Sequence, residues 1–177
     1  MGAAAAGCLS FGGCSGGNSS DTPVSRDVQA LWAQIQSAGA PCGTGMVRAQ
    51  DILRAARKPD QVMAEGRQEL ERIHAGCATA AATIHRMAPP PSIENSEGQS
   101  RMRDAIARCS RYRVHQHSAL GHVLTILRGQ GDTQHHLSQM QLEQSKFGEA
   151  LSRCRDGFAA AASAAGATFD SSPGNSS

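Results

Sequence analysis

Four of the six cysteines in this sequence fall where side chains pack between helices. They are Cys42, Cys77, Cys109 and Cys154. A reducing cytosol keeps thiols reduced, whereas exported proteins use such cysteines as disulfides, so the chemistry that we expect of them is oxidation to cystine. The sequence contains no CxxC pair, which argues against thioredoxin chemistry, zinc ribbons and haem attachment at CxxCH. Reduced core thiols and a zinc site at a cysteine cluster are the alternatives.

The turns between helices select one pairing of these four cysteines. In an antiparallel helix pair, residues that are equally distant from the connecting turn lie at the same height. Cys42 and Cys77 are equidistant from the turn that contains Pro59, and Cys109 and Cys154 are nearly equidistant from the next glycine-rich turn. Facing Cα atoms of packed helices come within disulfide range. The sequence therefore predicts the disulfides Cys42–Cys77 and Cys109–Cys154.

Histidines on the third and fourth predicted helices are the other residues that could bind a metal. His115 and His122 share a helix face, which makes them weak candidates for a metal- or haem-binding site between helices. Neither a Glu-x-x-His motif nor a carboxylate cluster accompanies them. We interpret the histidines as part of a solvated polar face and predict no metal and no cofactor.

Arginines make the first half of the third predicted helix basic. They are Arg101, Arg103, Arg108, Arg111 and Arg113. A docking face for an acidic partner or for anionic lipid headgroups is one interpretation, with Arg101, Arg108 and Arg111 as the partner-binding candidates, and a solvated face is the other. Aromatic residues make up 3% of the sequence and the net charge is +2, so nucleic-acid binding is not predicted.

The helices that position these residues are indicated by small or apolar residues at alternating spacings of three and four. The predicted helices cover residues 24–57, 61–88, 97–128 and 132–165. Pro41 lies inside the first, which is therefore either kinked there or divided into two shorter helices, and we favour a kink because the heptad phase continues across Pro41. Ser96 begins a sequence with the spacing of a capping box, and Asp132 is a predicted N-cap. Gln116 and Gln144 occupy inward positions and are predicted to form a hydrogen bond that sets the register.

These elements predict an all-α fold, namely an antiparallel four-helix bundle made of two disulfide-stapled helical hairpins, with disordered tails. The predicted domain organisation is a leader and Gly/Ser linker at residues 1–23, the bundle at 24–168 and a tail at 169–177. The few large side chains leave a thin core, and proteins of this kind commonly depend on covalent staples.

The first 23 residues contain a recognisable sequence pattern. Small residues precede Cys8 and Cys14, and a Gly/Ser/Asn-rich stretch follows. This segment resembles the end of the signal peptide of bacterial exported lipoproteins, and the resemblance covers only these residues. It implies that Cys8 or Cys14 carries the lipid and that the bundle is periplasmic or lipid-anchored in the bacterial envelope. The segment departs from this pattern, since it has no Lys or Arg and only a short apolar stretch. One explanation is that Met1 lies inside a longer signal, and the alternative is a disordered leader in which both cysteines are incidental.

Function follows from the sequence only in outline. The chain contains no GxSxG motif, P-loop, Ser-His-Asp order or paired-carboxylate signature, so we predict that it is not an enzyme. We expect a non-catalytic envelope protein that binds another envelope protein as an accessory module and attaches to the membrane through its N-terminal lipid. A metal- or haem-binding bundle is the alternative. The sequence specifies neither the partner nor the oligomeric state.

Overall fold

The computed structural model of the protein describes residues 22–55 and 60–171. For residues 55 and 60–65 it describes the backbone only. The described residues contain five helices and no strand. They are α1 (Pro23–Gly43), α2 (Gly45–Ala55), α3 (Asp60–His85), α4 (Ser96–Leu127) and α5 (Thr133–Ala164). Cys8, Cys14 and most of the predicted tail lie outside the described residues, so the predictions for them stay predictions.

The helices pack as a four-helix bundle in which α1 and α2 together take one of the four positions. Helix α4 lies at the centre, because it contacts α5 along its length and also contacts α3, α2 and α1. Helices α4 and α5 form one antiparallel hairpin, and α1, α2 and α3 form the other. The predicted fold class is therefore confirmed.

The first predicted helix is divided into two shorter helices, which is the alternative to the favoured kink, and the break lies at Thr44, three residues after Pro41. Helix α1 continues through Pro41 to Gly43, Thr44 is its C-cap, and α2 begins at Gly45. Glycine on either side of Thr44 lowers helix propensity at this point. A Cβ atom at Gly45 would lie 2.7 Å from Ile73 Cγ2, so the glycine also lets the start of α2 approach α3 closely.

The caps explain where the long helices begin. Asp132 accepts a hydrogen bond from the backbone N–H of Gln134 at 2.9 Å, as predicted for an N-cap. The cap of α4 is Asn95 and not a capping box starting at Ser96, since Asn95 Oδ1 accepts from Gly98 N–H at 2.5 Å. The Gln99 side chain is engaged elsewhere, because its amide donates to Ile93 O at 2.7 Å.

Both predicted disulfides are confirmed. Cys42 pairs with Cys77 across a Cα–Cα distance of 4.9 Å, and Cys109 pairs with Cys154 across 4.6 Å. All four residues have no solvent exposure, so the bridges lie inside the bundle. Two buried disulfides indicate an oxidising, extracytoplasmic environment. None of the described helices is both long enough and apolar enough to cross a membrane.

The core divides into two clusters, one around each disulfide. The cluster around Cys109–Cys154 holds the aromatic side chains, with Trp32 and Phe158 at a ring-centroid distance of 5.1 Å. The cluster around Cys42–Cys77 is made of aliphatic side chains and Met140.

The start of the predicted C-terminal tail belongs to the bundle. Phe169 packs edge-on against Trp32 at 5.3 Å and also contacts Phe158, and the Asp170 carbonyl accepts a hydrogen bond from Gln29 at 3.1 Å. The boundary predicted at residue 168 is therefore wrong, because an aromatic ring that can be buried offsets the entropy of ordering a few polar residues.

Candidate anion-binding cleft

A cleft of about 280 Å³ lies between α4 and α5 on the surface of the second hairpin. Basic side chains from both helices dominate its lining. The lining residues are Arg108, Arg111, His115, Lys146, Glu149, Ala150 and Arg153. A concave site with several convergent cations is suited to an anionic ligand, because the walls restrict the water that would otherwise screen the charges.

Helix geometry and one disulfide bring these residues together. Arg108, Arg111 and His115 are spaced by three and four along α4, so they lie on one face of that helix. Arg108 is adjacent in sequence to Cys109, and Arg153 is adjacent to Cys154. The Cys109–Cys154 bridge therefore fixes the separation of the two helices at the level of the cleft.

The cations of the cleft differ in whether they already have a carboxylate. Lys146 donates to Glu143 at 2.8 Å, and Arg153 forms an ion pair with Glu149 on the next turn of α5. The guanidinium groups of Arg108 and Arg111 have no ion-pair or hydrogen-bond partner among the described residues. Both side chains are exposed, so they are free to bind a ligand from solution.

His115 is held in the cleft wall by Glu143. Its Nδ1 donates to Glu143 Oε2 at 2.7 Å, while Glu143 also accepts from Lys146. Partial burial raises the pKa of Glu143, but the hydrogen bonds from Lys146 and His115 outweigh it and hold that pKa below its ordinary value. The carboxylate therefore stays ionised and keeps the His115 ring in a fixed orientation.

Of the three predicted partner-binding residues, the structure brings two together. Arg108 and Arg111 line the cleft. Arg101 lies outside it and pairs with Glu97 at 2.7 Å on its own helix. Lys146 and Arg153 were not predicted, although the register that pairs the cysteines also places Arg153 at the level of Arg108 and Arg111, and Lys146 near the level of His115.

Arg113 does not belong to the basic face at all. It is 5% exposed, lies between the helices and donates from Nη1 to Gln116 Oε1 at 2.7 Å, while its Nε has no partner. Burial lowers its pKa. A Cβ atom at Gly39 of α1 would lie 1.9 Å from Arg113 Nη2, so the guanidinium group occupies space that only glycine leaves open.

Gln116 is buried as predicted, but its predicted hydrogen bond to Gln144 is not present. Its side-chain oxygen is occupied by Arg113 and lies 3.1 Å from Cys42 Sγ. The pairing failed because Arg113, one turn earlier on the same helix, supplies a charged donor. Arg113 and Gln116 thus form a polar layer beside the Cys42–Cys77 bridge.

The two weak metal candidates, His115 and His122, do not face a common site. His115 contacts Glu143, whereas His122 Nδ1 lies 3.2 Å from His136 Nδ1 on α5. Among the residues that the structure describes, no three His, Cys, Asp or Glu side chains converge in a way that could hold a metal ion.

Comparison with protein-family models, with curated proteins and with solved structures found no match to this chain.

Proposed function

We propose that this protein is a non-catalytic module of the bacterial cell envelope that binds an acidic segment of a partner protein in the cleft between α4 and α5. The observation that carries the proposal is the pair of Arg108 and Arg111, which line the cleft without carboxylate partners among the described residues. Guanidinium groups bind carboxylates through two parallel hydrogen bonds, so the pair is suited to two acidic side chains.

Charge complementarity also favours an acidic peptide. Glu149 is the only acidic residue among the seven that line the cleft, and its carboxylate is engaged by Arg153. A ligand that carries two neighbouring carboxylates would supply the negatively charged partners that Arg108 and Arg111 lack among the described residues. Complementary charge of this kind increases the rate of association and selects against basic partners.

An envelope location is supported by the disulfides and by the N-terminal segment. The bridges require an oxidising compartment, and the segment before residue 24 resembles a bacterial lipoprotein signal. In this proposal the lipid is attached to Cys8 or Cys14, and the Gly/Ser-rich stretch links the lipid to the bundle.

The cleft is tested by binding a fluorescent poly-glutamate peptide to the full chain at low and high salt. We expect the R108Q/R111Q variant to lose on the order of tenfold in affinity, since each of the two removed contacts at these exposed guanidinium groups contributes up to about 1 kcal/mol. The matched control is R101Q/R103Q, which removes the same charge from the same helix outside the cleft and is expected to change affinity less than twofold.

Three outcomes would contradict the acidic-protein proposal. The first is an absence of binding by the unmodified chain, and the second is an equal loss in both double variants, which would indicate unspecific attraction. The third is cleft-dependent binding to phosphatidylglycerol vesicles without binding to the peptide, which would identify a membrane surface as the occupant.

The lipid is tested by labelling with an alkyne-bearing palmitate in a bacterial host, using the gene with its natural upstream sequence. We expect the C8S variant or the C14S variant, but not both, to abolish labelling. Labelling that persists in both variants, or that never occurs, would remove the lipid anchor from the proposal while leaving the cleft unaffected.

A further inference from the structure

We infer that His122 and His136 form a two-ligand site for a transition-metal ion, with water completing the coordination. The two rings come from different helices and approach each other where α4 and α5 meet at their connecting turn, with a distance of 3.2 Å between the Nδ1 atoms. This site is separate from the cleft and does not depend on the proposed function.

The distance between the nitrogens fits one shared metal ion. Two imidazole nitrogens at about 2.05 Å from a tetrahedral ion are about 3.3 Å apart, close to the separation found here. The same separation accommodates a hydrogen bond between neutral rings, so metal binding would replace this hydrogen bond. Imidazole nitrogen is a preferred ligand of Cu²⁺, Ni²⁺ and Zn²⁺, and the general order of affinities favours Cu²⁺.

The turn holds the His136 ring in place. Gly131 has φ of +71°, and a Cβ atom there would lie 2.8 Å from His136 Nε2. Glycine at this position therefore permits both the left-handed turn and the close approach of the ring. Both His122 and His136 are partly buried.

Burial, and then the proximity of His136, lower the pKa of His122, while Glu143 opposes this effect. A neutral imidazole has the free electron pair that a metal ion requires, whereas a protonated ring has none.

His135 provides the matched control. It is exposed and neighbours His136 in sequence, with a distance of 5.5 Å between the ring centroids, but its ring does not face His122 Nδ1 within hydrogen-bond distance. Unspecific binding to surface histidines would involve His135 as well. Comparison of H135N with H122N and H136N therefore distinguishes a specific site from unspecific binding to nearby histidines.

The test is titration of the full chain with Cu²⁺ or Zn²⁺ alone, in a C8S/C14S background that removes the thiols outside the described residues. Calorimetry gives the affinity, and the urea midpoint gives the stabilisation of the folded state by metal. We expect one ion per chain, an affinity that falls below pH 6, and Cu²⁺ spectra with coupling to two nitrogens.

The variants H122N and H136N keep a hydrogen-bonding side chain but remove the imidazole. Each should lose on the order of tenfold or more in affinity, because even the loss of an outer-shell partner costs a metal site about 10–100-fold. H135N should bind metal like the parent chain. Circular dichroism and the metal-free urea midpoint show whether each variant is folded, and a variant that is folded yet binds like the parent would overturn the inference. An equal loss in H135N, or no binding by the parent, would overturn it as well.

Discussion

The two hairpins of the bundle carry the same kind of staple on different kinds of scaffold. The second hairpin consists of two uninterrupted helices of 32 residues each, α4 and α5, joined by a short turn. In the first hairpin the helical segment that packs against α3 is divided at Thr44 into α1 and α2. Its bridge begins at Cys42, two residues before that division.

The difference shows that one covalent bond can have two structural roles. In the second hairpin the bridge adds to an extensive helix interface and fixes the width of the cleft. In the first hairpin the bridge attaches α3 to the chain at the point where helical continuity is lost. The entropy removed from the unfolded chain is nearly the same in both, because the sequence separations of 35 and 45 are similar. Any difference between the effects of removing the two bridges must therefore arise in the folded state.

Removal of each bridge is the strongest test of this contrast. We expect C42A/C77A and C109A/C154A each to lower the free energy of unfolding by about 4 kcal/mol in urea titrations. Hydrogen exchange should separate the variants, with fast local exchange in α2 and the end of α1 for C42A/C77A only. Identical exchange patterns in the two variants would show that the bridges have the same role.

Phe169 tests how far the aromatic end of the bundle depends on the chain beyond α5. The change Phe169→Ala should lower the free energy of unfolding by about 2 kcal/mol, less than a fully buried phenylalanine, because the ring is partly exposed. Trp32 is the only tryptophan in the sequence and touches this ring, so its fluorescence reports the change. An unchanged emission spectrum and urea midpoint would show that Phe169 is not docked in solution.

Gly39 and Arg113 test the contact by which the second hairpin reaches into the first. Gly39→Ala should cost about 1–2 kcal/mol, since the added methyl group displaces the guanidinium group and its hydrogen bond to Gln116. The cost should be smaller by about 1 kcal/mol when Arg113 is methionine, as measured by a double-mutant cycle. Additive effects would contradict the contact.

The histidine pairs should give the smallest effect, a loss of stability in mild acid. Burial, and then His117, lower the pKa of His74, whose ring stacks on His117 across the two hairpins at 3.7 Å, and the pKa of His122 is lowered as well. The unfolded chain takes up protons near pH 6.5 and the folded chain only below it, so the free energy of unfolding falls as the pH decreases from about 7.

Urea midpoints at pH 7.5 and pH 5.5 measure this decrease. The H74N/H122N variant should lose less stability between the two conditions than the unmodified chain. Glu143, whose pKa is lowered, contributes only at more acidic pH, where its carboxylate becomes protonated. An equal loss in both proteins would place the acid-sensitive groups elsewhere.

Sequence reasoning succeeded where local rules determine the structure. Heptad spacing, the turns and the positions of four cysteines were sufficient for the fold class and for both bridges. Pro41 and its neighbouring glycines indicated either a kink or a break, and the kink was favoured because the apolar stripe keeps its phase across the break at Thr44.

The contacts at the candidate sites could not be predicted from local sequence rules. Arg113 has the same charge as Arg111, but it lies seven residues from the buried Ile106 and Leu120, so its helix position faces the core. Spacing along the chain does not reveal the space beside Gly39 that admits its guanidinium group. The contact between His122 and His136 likewise depends on the geometry of the turn between their helices. Pairwise contacts of this kind depend on packing and not on spacing along the chain.

The order of the bridges along the chain has a consequence for biogenesis. The four bundle cysteines pair consecutively, the first with the second and the third with the fourth, so the two covalent loops do not overlap. An oxidant that joins bundle cysteines in the order in which they occur along the chain would form the native bridges directly. Oxidation in chain order therefore forms no non-native bridge among these four cysteines, and none has to be isomerised.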